Sequence, residues 1–136
     1  MIKGKKILVV HCSDSDYKTH DDISVIRKWH VEERNFVDVG YHFFIKKDGT
    51  IQKGRKLKVN GAHCRGINSK SWGVCLSGKS NSFTQAQMKA LEQLTIQLSD
   101  RIRLVDQHSA FDAKKPFCAG LNDNQVKYLN NLVNVA

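Results

Sequence analysis

The chain has 136 residues, 40% of them hydrophobic, with one proline and four cysteines. That length suits a single domain, residues 1–136, around one core, and the hydrophobic fraction argues against intrinsic disorder. Twenty-two Lys and Arg against 13 Asp and Glu give a net charge of +9, which favours an anionic partner such as nucleic acid, anionic lipid or acidic wall polymers without choosing among them.

No apolar run approaches the roughly 20 residues of a membrane-spanning helix. The N-terminal "MIKGKKILVVHCSD" is basic and then apolar, but its apolar part covers only residues 7–10, too short for a signal-peptide core, so no export signal is expected in the chain as given. Cys12, Cys64, Cys75 and Cys118 form no CxxC pair. A structural zinc knuckle is therefore not expected, and reduced thiols are.

In chain order, "KKILVVH" reads as a buried strand ending at His11. "THDDISVIRKWHVEER" reads as a helix over residues 19–34, capped by Thr19 with Asp22 three residues on, and with Ile23, Ile26 and Trp29 or His30 at helical spacing. "GYHFFIKKDGTIQKG" carries two strand-like runs around Asp48-Gly49, read as a two-residue hairpin turn. "VNGAHCRGINSKS" is a loop by its Gly, Asn and Ser content, and "WGVCLSG" is a second buried strand. "TQAQMKALEQLTIQLSDRI" is a helix with a Thr84/Gln87 capping box and a core stripe of Met88, Leu91, Leu94 and Leu98. "RLVDQH" is a short strand that ends, like the first, in a histidine, His108; the irregular "HSAFDAKKPFCAGL" follows, and a terminal helix opens at Asn122. The order β-α-β-β-β-α-β-α predicts an α/β domain with a central mixed sheet flanked by helices.

Two predicted strands thus end in histidines, and Cys118 follows the second in a loop. Two imidazoles and a thiolate make a three-ligand tetrahedral zinc site with one position open, the catalytic rather than the closed structural arrangement. Six histidines and four cysteines allow many such triples, so spacing alone leaves core histidines and an inert thiol as alternatives. His30 and Trp29 are read as packing on the sheet, His42 as facing away from Tyr41, and His20 as solvent-exposed loop. Cys12, Cys64 and Cys75 are read as small hydrophobes.

The stretches "VVHCSD", "IRKWHVEERNFVDVGYHFFIKKDGTIQKGR", "GAHCRGINSKSWGVCLSG", "FTQAQMKAL" and "HSAFDAKKPFCAGL" resemble, in order and over nearly the whole chain, the zinc-dependent N-acetylmuramoyl-L-alanine amidases of the phage-lysozyme and peptidoglycan-recognition-protein superfamily. The resemblance implies that fold, one zinc per chain held by His11, His108 and Cys118, and Tyr41 beside the metal as a catalytic group. The family lysine falls in the Lys114-Lys115 pair. Close relatives place it two residues before the cysteine, where this chain has Pro116, so Lys115 is taken and Lys114 is the fallback. His63 and Asn68 lie in the loop that the family places at the substrate groove and would contact glycan or stem peptide. Asp106, two residues before His108, shares its predicted face and is a candidate to orient it.

The implied reaction is hydrolysis of the amide joining muramic acid to L-alanine in bacterial peptidoglycan, by a monomeric enzyme with no specific nucleic-acid partner. No HExxH helix is present, which disfavours a zincin-type protease. Glu32, Glu33 and Glu92 are the only glutamates and all fall on predicted helices, which shifts proton transfer towards Tyr41. A peptidoglycan binder that does not cut, and a basic nucleic-acid or protein-binding domain on the same fold, are the alternatives. The expected location is the cytoplasm until release to the wall, as for a phage or prophage endolysin or a delivered effector.

Overall fold

The computed structural model describes residues 7–80 and 82–133. Five strands form one sheet: β1 (Ile7–Cys12), β2 (Phe43–Ile45), β3 (Ile51–Lys53), β4 (Ser71–Leu76) and β5 (Leu104–Gln107), in the order β3-β2-β4-β1-β5. β1 lies between β4 and β5 and is parallel to both; β2 runs parallel to β4, and β3 closes the edge antiparallel to β2. The three helices are α1 (Ile23–Lys28), α2 (Gln85–Leu98) and α3 (Asp123–Asn131). Lys5 and Lys6, included in the first predicted strand, lie outside the described residues.

The two sheet faces are covered unequally. Leu8 and Val10 of β1, Trp72, Val74 and Leu76 of β4, and Phe43 and Ile45 of β2 meet Leu91, Leu94 and Leu98 of α2 and Leu129 of α3 in the larger core. Each such leucine contributes about 1.5–3 kcal/mol by leaving water. The opposite face carries a smaller cluster, in which Ile23 and Ile26 of α1 pack on Val39, Phe44 and Cys75. The short α1 leaves room on that face for a cavity.

Local chemistry sets the element ends. The Thr84/Gln87 and Asn122/Gln125 capping boxes open α2 and α3. Three expectations are corrected. Asp22, not Thr19, caps α1, with its Oδ1 accepting from the Ser24 amide at 2.9 Å. The continuous helix expected to residue 34 instead widens after Lys28 into a single π-helical turn, Trp29–Glu33. The hairpin is also not a two-residue turn. Lys46 pairs with Thr50, the Gly49 amide bonds back to the Lys46 carbonyl, and Gly49 adopts φ +90°. Lys47 and Asp48 are therefore the turn centre, and Gly49 supplies the left-handed residue of a three-residue loop.

Candidate metal centre

The register of the sheet brings the histidines together. β1 and β5 are parallel with Val10 opposite Gln107. The next residue on each strand is a histidine, and their rings lie with centroids 4.4 Å apart. Cys118 returns to the same point through the irregular segment after His108. The Ser109 amide donates to the Cys118 carbonyl at 2.6 Å, and Cys118 Sγ accepts from the Cys12 amide at 3.4 Å. One ligand atom from each of His11, His108 and Cys118 falls within 4.8 Å of the other two.

Electrostatics suits these groups to a cation. His11 is 1% exposed, and burial, reinforced by the neighbouring His63 and His108, holds it well below the ordinary imidazole range, so it stays neutral with a lone pair to give. Burial also lowers His108, against the opposing pull of Asp112, whose Oδ2 lies 3.5 Å from His108 Nε2. The Cys12 thiol donates to Cys118 Sγ at 3.8 Å; this contact favours thiolate at Cys118 and pushes Cys12 up. Lys115 adds positive charge that further favours the Cys118 thiolate. Two neutral imidazoles and a thiolate are the donor set of a three-ligand zinc site.

The three groups sit at a cavity of about 740 Å³ whose wall includes Tyr41, His63, Lys114 and Lys115. The Tyr41 ring lies 4.9 Å from His11, centroid to centroid. Burial raises its phenol well above the usual range, so it keeps its proton. His63 Nδ1 is 2.9 Å from His11 Nε2. Asn68 is not part of the wall; its Oδ1 accepts from the His63 and Cys64 amides at 3.0 and 2.9 Å. Asp106 does not reach His108: its Oδ1 accepts from the Gln107 amide, and Asp112, one helical turn beyond His108, occupies the place expected for it.

Other wall residues had no sequence signal. His20, expected in solvent, lines the cavity with Nδ1 2.7 Å from Ser15 Oγ and its ring between Tyr17 and Trp29. Arg34 follows the π turn and reaches the wall, and Asp14, held at φ +59°, is the acidic residue on it. His30 combines a wall position with a structural bond, its Nδ1 accepting from the Gly40 amide at 2.8 Å. His42 is structural as expected, bonded to the Val59 carbonyl and the Gly73 amide.

The N-acetylmuramoyl-L-alanine amidase family matches residues 3–120. The chain belongs to that family. Among curated relatives, the endolysin of Klebsiella phage KP32 is 44% identical and that of Escherichia phage T7 41% identical, each over 98 residues, 67% of this chain and 64% of the relative. The chain thus spans about 64% of the length of these relatives. Among solved structures, an N-acetylmuramoyl-L-alanine amidase from Clostridium intestinale superposes with a TM-score of 0.81 at 28% identity, covering 98% of this chain and 87% of its own. The sheet and helices described above are the amidase fold. No helix among the described residues is long and apolar enough to cross a membrane.

Proposed function

We propose that the chain is a zinc-dependent hydrolase of bacterial peptidoglycan that cleaves the amide bond between N-acetylmuramic acid and the L-alanine of the stem peptide. The observation that carries this reading is the convergence of His11, His108 and Cys118 donor atoms within 4.8 Å at the cavity, in a chain of the amidase family. The endolysin relatives support a role in phage-driven wall lysis, with the protein held in the cytoplasm until release and acting as a monomer.

His11, His108 and Cys118 would hold the metal. Bound there, zinc would supply Lewis acidity, polarising the scissile carbonyl and bringing water's pKa down to about 7. The chain's own residues do the rest. Tyr41, protonated and with its ring tilted against that of His11, is a hydrogen-bond donor to the reacting amide and a proton source for the departing L-alanine nitrogen. The Lys115 ammonium, beside His108 and Cys118, offers a positive donor to the oxygen that gains charge; such donors are worth about 10²–10³ in rate. None of the three glutamates lines the cavity, and we assign proton handling to Tyr41 because its ring lies against that of His11.

The test is the chemistry of the products. Incubation with purified sacculi should release peptides with a free L-alanine amine and leave intact glycan carrying free lactyl carboxylates; a chelator should stop release and added zinc restore it. Cleavage at a different bond, or release indifferent to chelation, would overturn the proposal. Binding to sacculi without release would favour a non-catalytic peptidoglycan-binding module.

A further inference from the structure

We propose that His63 is a positioning residue: the hydrogen-bond chain from the Ile67 carbonyl through Ser71 and His63 to His11 admits one arrangement of protons, and it leaves His11 Nδ1 bare towards the metal. The inference rests on the metal-centre reading above and names how this chain presents its first ligand.

The argument runs from the carbonyl inwards. A carbonyl oxygen only accepts, so at 2.7 Å the Ser71 hydroxyl spends its one hydrogen on Ile67. Ser71 Oγ must then accept from His63, whose Nε2 lies 3.2 Å away. With His63 in its neutral form the ring has one N–H, and the bond to Ser71 puts it on Nε2. His63 Nδ1 is therefore a bare acceptor, and the 2.9 Å contact is completed by a proton on His11 Nε2. The second nitrogen of His11, Nδ1, keeps its lone pair. A metal-bound histidine ordinarily gives its other N–H to a carbonyl or carboxylate; in this chain the acceptor is a second histidine.

The fold holds that acceptor still. A Cβ at Gly73 would lie 2.6 Å from His63 Cγ, and one at Gly61 would lie 2.7 Å from His63 Cδ2. Both glycines therefore let backbone approach the ring closely enough to trap it. Turning the ring over would place carbons where both hydrogen bonds now form. Asn68 fixes the backbone of the same residue by accepting from the His63 and Cys64 amides. His63 and Asn68, which the sequence suggests as substrate contacts, thus form one brace behind His11.

Two measurements test this. In the zinc-free protein, nitrogen-15 spectra of the histidine rings should show His63 protonated at Nε2 and bare at Nδ1; a proton on His63 Nδ1 overturns the proposal. Zinc affinity, read by chelator competition, should fall about 10- to 100-fold in His63→Ala. It should recover in His63→Asn, whose Oδ1 restores an acceptor near the Nδ1 position. Gly73→Ala, which displaces the ring without touching a ligand, should weaken zinc in the same direction, and serves if His63→Ala does not fold. Unchanged zinc affinity in folded His63→Ala, with only KM altered, would make His63 a substrate contact and overturn the proposal. A wild type that binds no zinc would overturn the metal-centre reading instead, and the ring spectrum would still decide the relay.

Discussion

Acid should weaken the fold in part through His30. This imidazole is 6% exposed, and its Nδ1 accepts from the Gly40 amide. Burial, with the charges of Arg34 and Arg55, lowers its pKa to about 4, against about 6.5 in an unfolded chain. Between those values the unfolded state binds a proton that the folded state refuses, so stability rises with pH across this window. The contribution is fully present above about pH 6.5 and is lost as pH falls towards 4. At about 1.4 kcal/mol per pH unit, the span is worth roughly 3 kcal/mol. His30→Asn keeps an acceptor for Gly40 and removes the titration. Urea unfolding of both zinc-free proteins from about pH 7 to about pH 4 isolates the effect. His11 and His108, also lowered by burial, contribute to both curves and cancel in the difference. The wild type should lose about 3 kcal/mol more than the variant over this range; parallel curves would refute the reasoning.

Leu94→Ala removes a side chain 2% exposed in the larger core and should cost about 2–5 kcal/mol in denaturant melts. Lys115→Ala should lower kcat on sacculi by about 10²–10³, while Lys114→Ala, on the same cavity wall, should stay within a few-fold of wild type; the reverse order would transfer the role to Lys114. If the net charge of +9 holds the enzyme on an anionic wall, the rate on sacculi should fall as salt rises while the rate on a small soluble muropeptide stays level. Equal salt dependence for the two substrates would remove surface charge from the account.

The element order, the Thr84/Gln87 capping box and the opening of the last helix at Asn122 were legible because they rest on local patterns: apolar runs, 3.6-residue spacing, and a capping residue ahead of the helical stretch. His11 and His108 stood out as strand ends, yet their meeting depends on the β1–β5 register, which no local pattern contains. The residue pattern offered Cys118 as one of many possible third ligands, and the family resemblance singled it out; Tyr41 and the lysine pair came from the resemblance alone. Asp106 was misjudged because strand alternation was extended past Gln107, where the chain turns into a short 3-10 helix and brings Asp112 under His108 instead. His20 was read as loop because nothing near it in sequence predicts the Tyr17 and Trp29 rings beside it. The π turn was hidden because Trp29 and His30 fit a regular helix equally well. The bond between His11 and His63 joins residues 52 apart and exists only once β1 and the loop before β4 are placed.

The most direct test of the account is the zinc content of the wild type and Cys118→Ala, purified side by side with their folds checked by circular dichroism. The account predicts one zinc per wild-type chain and loss of tightly held zinc in the folded variant. Equal zinc in both, or none in either after zinc is supplied, would contradict it.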